Sequence, residues 1–146
     1  MTRLMRLALM LCFALAIVAK ALAAQTTQLC ANVISERPAS ACFMSVADSL
    51  DVRLEALLSQ LQRSIPASEF SRLQRAQELW RASRDSTCAW ERDLFSGGSI
   101  APRVEAKCEI TLTTERIRML KVFLCPGAPV MPDCAESHRY DILPEP

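Results

Sequence analysis

Cysteine is the residue type whose number and spacing carry the most chemistry in this sequence. The chain of 146 residues contains seven cysteines, and Cys12 lies inside an apolar amino-terminal run. The other six are Cys30, Cys42, Cys88, Cys108, Cys125 and Cys134. An even number of cysteines behind a secretory signal is typical of a disulfide framework. Zinc binding is disfavoured, because the sequence has no Cys-x-x-Cys pair and its only histidine, His138, lies in a proline-rich tail.

Catalytic chemistry finds little support in the other side chains. A serine or cysteine nucleophile needs a positioned base, and the chain has a single histidine. Oxidised cysteines are lost as nucleophiles. Carboxylate pairs such as Glu91/Asp93 are expected on solvated helix faces, and Gly97-Gly98 lacks the Lys and Ser or Thr of a phosphate-binding loop. We therefore expect a protein that is not an enzyme and that has no catalytic residue, no metal site and no cofactor.

The first 24 residues have the pattern of a cleaved signal peptide. Arg3 and Arg6 precede an apolar run over residues 7–19, and Ala21-Leu22-Ala23-Ala24 supplies the small residues of a cleavage site. The run is short of the roughly 20 residues that span a bilayer, which disfavours the alternative of a retained anchor. We expect a mature chain that starts near Gln25 and is periplasmic or secreted.

The charge of the mature chain bears on its partners. Removing residues 1–24 takes away three basic groups and leaves 14 basic against 16 acidic side chains, a net charge of −2. Nucleic-acid binding needs a concentrated basic surface, so it is disfavoured. The sequence contains no second long apolar run, and we expect no stable membrane span after signal cleavage.

Apolar periodicity predicts the three helices that position these residues. Residues 43–63 carry apolar side chains at steps of three and four, and Pro66 should end this helix near Ile65. The second helix is expected from about Ala67 to Phe95, and the third, capped by Ser99, to about Phe123. The expected inward positions are Val46, Leu50, Leu54, Leu57, Leu58 and Leu61 in the first helix, Phe70, Leu73, Ala76, Trp80, Ser83 or Thr87, and Leu94 in the second, and Val104, Cys108, Thr111 or Leu112, Met119 and Val122 in the third.

These patterns predict an all-α fold, in which an antiparallel helical hairpin follows a long first helix. This three-helix domain should occupy residues 25–124 and be stapled by disulfides, because three helices enclose only a thin core. Residues 125–146 hold five of the eight prolines and should form an irregular tail.

The turn between the second and third helices predicts one disulfide. Ser96-Gly97-Gly98-Ser99 is a helix stop, and Cys88 and Cys108 lie ten residues to either side of Gly98. At 1.5 Å per residue both stand about 15 Å from the turn, which brings them level in an antiparallel hairpin. Loop size also favours Cys30–Cys42 and Cys125–Cys134, while a swap that joins Cys30 to Cys125 or Cys134 stays open.

One charged cluster could be either structural or functional. Arg84 and Arg116 fall about one helical turn apart on the facing helices of the hairpin. We interpret the cluster as structural, with Asp85 accepting a forked hydrogen bond from Arg116 and fastening the hairpin. Trp80 belongs to the inward stripe and is interpreted as a core residue.

Several of these residues form one combined pattern. It is Ala76-Gln77-x-x-Trp80-x-x-x-Arg84-Asp85-x-x-Cys88, then Gly97-Gly98-Ser99, then Cys108 with Thr113, Arg116 and Leu120, preceded by Cys30 and Cys42. This pattern resembles the lysozyme inhibitor LprI family. The resemblance covers residues 30–124, about the whole predicted domain. It implies a small exported helical domain with the same Cys30–Cys42 and Cys88–Cys108 pairings, and a role as a protein-binding inhibitor.

Two function hypotheses follow, both for an exported protein that binds without catalysing. In the first, it blocks lysozyme or another cell-wall hydrolase, and the partner contact consists of Ser96, Gly97, Gly98 and Ser99 with the flanking Asp93 and Arg103. A tight turn held by a disulfide is preorganised, which lowers the cost of ordering on binding. In the second, the turn is a plain connector, and the chain is an accessory module that docks on another envelope protein through its tail or through an exposed Leu79, Trp90 or Phe123. The sequence leaves the oligomeric state open.

Overall fold

The computed structural model describes Cys30, Val33 and residues 35–141. The helices lie in one compact unit, Val33–Ile142, and of the unit that includes Met1–Asn32 only Cys30 is described. The elements are α1 (Glu36–Ser64), α2 (Ala67–Asp93), α3 (Ala101–Lys121), a short 3-10 helix (Val122–Leu124) and α4 (Ala135–His138). The predicted signal peptide, residues 1–24, lies outside the described residues. Among the described residues, no helix combines the length and apolarity needed to cross a membrane.

Helix α1 starts earlier than predicted and ends as expected. It begins at Glu36 rather than at residue 43, because Pro38 falls in the first turn, where a missing amide hydrogen costs no intrahelical bond. Its last residue is Ser64, and Ile65 is extended with φ −116° and ψ 158°. That conformation is the one that the following Pro66 favours.

The turn between α2 and α3 corrects two details of the prediction. Helix α2 ends at Asp93, before the predicted Phe95. Ser99 does not cap α3, because Ile100 holds the cap position and no side-chain capping bond is made there. Gly97 has φ +84°, a left-handed conformation that glycine adopts without strain, so the helix stop is built as its sequence indicated.

The apolar core lies between α1 and α3. Leu54, Leu57 and Leu61 of α1 are nearly inaccessible to solvent, and Ile117 and Leu120 of α3 pack against them. Helix α2 adds mainly Phe70 and the partly buried Leu73 and Trp80. Inward positions that the structure instead exposes are Ala76, Ser83, Thr87, Leu94 and Met119. Ile117, Leu120 and Leu124 set the inner face of α3 and its continuation, which turns Met119 outward, and Leu94 lies beyond the end of α2.

Contacts along the helices fix their directions. Arg103 of α3 pairs with Glu36 at the start of α1, and Lys107, one turn later, lies over the ring of Phe43. Helices α1 and α3 therefore run the same way, and α2 runs antiparallel to both. This is the three-helix arrangement that the sequence predicted.

Disulfides staple the fold, and the all-α, disulfide-stapled prediction is confirmed. Cys88 and Cys108 are bonded across the hairpin, with Cα atoms 5.4 Å apart. Cys125 and Cys134 close the tail loop, with Cα atoms 5.6 Å apart. Cys30 and Cys42 are also disulfide-bonded. Because the tail cysteines bond each other, the alternative that joins Cys30 to one of them is excluded.

The tail is more ordered than predicted, up to Asp141. It contains α4 and folds back onto α1, where Arg53 donates to the backbone carbonyls of Arg139 (3.1 Å) and Asp141 (2.8 Å). The Tyr140 hydroxyl donates to the carbonyl of Ala56 at 3.3 Å, and its ring packs against the core. The ring of Tyr140 in the tail and the guanidinium of Arg53 in α1 provide the contacts that dock the tail. The number of prolines did not indicate them.

Candidate functional site

A buried arginine joins all three long helices. The residue is Arg84 of α2, which is 9% exposed. Its Nη1 donates to Asp51 Oδ1 of α1 at 2.5 Å and to Thr113 Oγ1 of α3 at 2.9 Å, and its Nε donates to the neighbouring Asp85 Oδ1 at 2.9 Å. A guanidinium supplies several donors in a fixed plane, which lets one side chain fasten three elements.

The predicted bond between Arg116 and Asp85 is wrong. Asp85 accepts from Arg84, while Arg116 Nε donates to Gln77 Oε1 at 2.8 Å. The two arginines instead share Trp80, whose ring centroid lies 5.2 Å from Arg84 Cζ and 5.5 Å from Arg116 Cζ. Such contacts are cation–π interactions. All four residues of the predicted cluster are thus close together, but Trp80 rather than Asp85 links the arginines.

Three partners of the arginines were not predicted, although Gln77 and Thr113 belong to the family pattern. They are Asp51, Thr113 and Gln77, of which Thr113 is 1% and Gln77 5% exposed. Thr113 lies four residues before Ile117 on the inner face of α3, and Asp51 directly follows the buried Leu50. Their positions beside apolar stripes were the available signal, because a polar residue at the edge of a core needs a hydrogen-bond partner.

The electrostatics of the cluster favour a fixed ion-pair network. Burial lowers the pKa of Arg84, but its hydrogen bonds to Asp51 and Asp85 outweigh burial and raise the pKa overall. Burial raises the pKa of Glu109, and the attraction of Arg84 only partly offsets this. Within the described residues, no group of three or more His, Cys, Asp or Glu side chains could hold a metal ion. The cluster holds the helices in register.

The hairpin tip is an exposed and well-ordered turn. Residues 93–99 are all exposed, including Asp93 and the four turn residues predicted as partner contacts. The Phe95 amide donates to the Arg92 carbonyl and the Gly98 amide to the Phe95 carbonyl, both at 2.9 Å, and Ser96 Oγ donates to the Asp93 carbonyl at 2.7 Å. The Cys88–Cys108 disulfide braces the two helices below this turn. The tip therefore presents a fixed backbone to solvent.

Apolar side chains surround the tip, a grouping that the sequence did not indicate. Trp90 and Leu94 are 61% and 63% exposed and lie one helical turn apart, and Phe95 is 45% exposed. We call Trp90, Leu94 and Phe95 the tip cluster. Exposed aromatic and apolar groups next to one another are typical of protein-binding surfaces.

The structure separates Arg103 from the other predicted contacts. Arg103 Nε pairs with Glu36 Oε1 at 2.9 Å, so it fastens α3 to α1. Asp93 accepts a hydrogen bond from Arg92 at 3.0 Å and stays at the surface. The exposed part of the predicted contact is therefore the turn itself with Asp93.

A family model described as Lysozyme inhibitor LprI matches residues 18–120. The chain belongs to this family. The match takes in α1, α2, the hairpin tip and nearly all of α3, and it ends before the tail. No curated protein and no solved structure matches the chain. Membership in an inhibitor family agrees with a binding protein rather than an enzyme, and together with the disulfides it suggests export.

Proposed function

We propose that the mature chain is exported and inhibits lysozyme or a related peptidoglycan-cleaving enzyme by placing its hairpin tip in the substrate cleft. Family membership supports a peptidoglycan-cleaving enzyme as the target. The observation that supports the tip as the contact site is its exposure on a disulfide-braced hairpin. Substrate clefts of enzymes are concave, and a tip between two helices is convex. We further propose that residues 1–24 are removed on export and that the chain acts in the periplasm or outside the cell.

The tip cluster would supply the binding free energy. Interface energetics are usually dominated by a few well-packed aromatic or arginine side chains. Trp90 and Phe95 have that character, and the fixed turn between them and Ser99 loses little conformational entropy on docking. Gly97 and Gly98 lack side chains, so the backbone of the turn can approach a partner closely.

A second candidate is the accessory module that docks through an exposed Leu79, Trp90 or Phe123. Trp90 is exposed as this candidate expects, but it lies beside the tip and serves both candidates. Leu79 on α2 is 69% exposed and Phe123 near the end of α3 is 45% exposed. Both are remote from the turn, because α2 continues for 14 residues after Leu79 and Phe123 lies at the opposite end of α3. Binding through either one would leave the tip free.

A lysis titration separates the two candidates. The full chain is expressed with its leader, purified oxidised from the exported fraction, and titrated against lysozyme in a cell-wall suspension; mass spectrometry of the product checks for a start near Gln25. We expect Phe95→Ala to raise the half-inhibitory concentration at least about tenfold, the effect of losing about 1.4 kcal/mol of binding. Phe123→Ala is the matched control, since both side chains are 45% exposed.

Three outcomes would overturn parts of the proposal. Full lysis at a large excess of folded protein excludes lysozyme as the target. Inhibition that survives Phe95→Ala but is lost in Phe123→Ala moves the contact to the other end of α3. A purified chain that retains residues 1–24 contradicts signal cleavage.

A further inference from the structure

A polar groove lies between α1 and α2, on the part of the helices remote from the hairpin tip. Its volume is about 280 Å³, and Ser59 and Gln62 of α1 face Gln74 and Glu78 of α2 across it. Leu58 and Phe70 also line it. A water molecule takes up about 30 Å³ of liquid, so the groove has room for far more than an inorganic ion.

One buried amide in this groove lacks a partner. Gln77 is 5% exposed, and its Oε1 accepts from Arg116 Nε at 2.8 Å, which fixes the orientation of the amide. Its Nε2 is buried and has no hydrogen-bond partner among the described residues. Buried amide groups are nearly always hydrogen-bonded, and each exception calls for an explanation. A ligand oxygen in the groove would provide the missing acceptor.

The ion pair that joins the two walls of the groove is weak enough to part. Arg81 of α2 and Glu55 of α1 form an ion pair between the two helices, and both line the groove. Their side chains are 44% and 56% exposed, and exposed ion pairs contribute little to stability. A ligand can therefore part this pair at small cost.

We propose that this groove binds a short neutral saccharide that carries hydroxyl and acetamido groups, with Gln77 Nε2 donating to a ligand oxygen. The side-chain amides of Gln62 and Gln74 both donate and accept, which suits such a ligand. Glu55 neutralises Arg81, and the nearby Glu78 repels anions.

This site is distinct from the one proposed for lysozyme. Gln77 and Asp93, the last residue of α2, are 16 residues apart along the helix, or about 24 Å at 1.5 Å per residue. The inference thus goes beyond the proposed inhibition; only the choice of an acetamido sugar rests on the proposed export, which would bring the chain among cell-wall glycans.

An NMR titration of the oxidised chain with tri-N-acetylchitotriose tests the proposal. We expect saturable shifts of the backbone amides of residues 58–62 and 70–81, with a Kd of about 1 mM. Gln77→Glu keeps the acceptor for Arg116 but removes the free donor, and should weaken binding at least about tenfold. Gln60→Glu makes the same change of charge outside the groove, where Oε1 can still accept from Arg63, and should bind within about twofold of the wild type.

Several results would overturn the proposal. They are an absence of shifts at about 10 mM trisaccharide, well above the expected Kd, and a Gln77→Glu chain that binds as tightly as the wild type while its amide spectrum shows it folded. Larger shifts of the same amides with acetyl-trialanine amide would make the groove a peptide site. Equal affinity for cellotriose, which has no acetamido group, would show that the groove does not recognise this group. Because lysozyme is absent, these outcomes are independent of the lysis assay, in which Gln77→Glu should inhibit as the wild type does.

Discussion

Replacing Arg84 with methionine should lower the free energy of unfolding by about 3 kcal/mol. Its two carboxylate partners, Asp51 and Asp85, have side chains that are 50% and 61% exposed, so they rehydrate when the arginine is removed. Each such pair is then worth about 0.5 to 1 kcal/mol rather than the larger value of a fully buried pair. The buried Thr113 loses a bond worth about 1 kcal/mol, and the contact with Trp80 contributes about 0.5 to 1 kcal/mol.

Urea unfolding measures this loss. Taking a slope of about 2 kcal/mol per M for a chain of this size, the midpoint should fall by about 1.5 M. Arg75→Met on the exposed face of the same helix is the control, and should change the free energy of unfolding by less than about 0.5 kcal/mol.

A double-mutant cycle tests which residues of the cluster interact, rather than the total stability that the cluster contributes. Arg84→Met and Asp51→Asn should couple by about 1 kcal/mol, whereas Arg116→Met and Asp85→Asn should be additive within about 0.5 kcal/mol. Coupling between Arg116 and Asp85 without coupling between Arg84 and Asp51 would refute the geometry. So would a midpoint for Arg84→Met that matches the Arg75→Met control.

Three further predictions address the disulfide and two titrating groups. Replacing Cys88 and Cys108 together by serine opens a crosslink that spans 20 residues, and should cost about 3 kcal/mol in urea unfolding; a loss below about 1 kcal/mol would contradict the staple's role. Because burial raises the pKa of Glu109 in the folded chain, stability should fall as pH rises from about 4.5 through the folded pKa. Glu109→Gln should abolish that decline, and an unchanged pH profile of unfolding would contradict it. A hydrogen bond to Asp141, with the charge of Asp133, raises the pKa of His138 above its ordinary 6.5. The stabilisation that protonated His138 gives the tail is therefore complete below about pH 6.5. It is lost as pH rises through the folded pKa of His138. An NMR titration of the His138 ring should give a lower pKa in Asp141→Asn, and an equal pKa would contradict the contact.

The sequence predicted the helices and the hairpin because both follow from local rules. The leucines of α1 repeat at steps that only a helix brings to one face, and Pro66 favours an extended Ile65, so the helix ends at Ser64. Equal spacing from Gly98 determines which residues of α2 and α3 lie level, and the Cys88–Cys108 disulfide obeys that count. These predictions needed no knowledge of how α1 sits on the hairpin.

The partner of Arg84 could not be predicted in the same way. Asp51 precedes it by 33 residues across a connection that contains Pro66, and its position depends on how α1 is rotated about its own axis. Only the burial of the whole leucine stripe against α3 sets that rotation. The same limit applies to the tail, whose docking depends on Arg53 of α1 pointing at two backbone carbonyls that no sequence motif marks.

The distribution of side-chain size along the bundle explains why the tip needs a covalent brace. On one side of the Arg84 cluster, Leu54, Leu57, Leu61 and Ile117 bury large apolar surfaces. On the side toward the tip, the buried residues are small, chiefly Ala39, Ala47 and Ala106. Since stabilisation scales with buried apolar area, this half contributes much less to folding. The Cys88–Cys108 disulfide lies among these small residues, with Ala106 two residues nearer the turn than Cys108. Reducing it should therefore loosen the tip first and leave the leucine core folded. The proposed contact surface would then be lost before the fold itself.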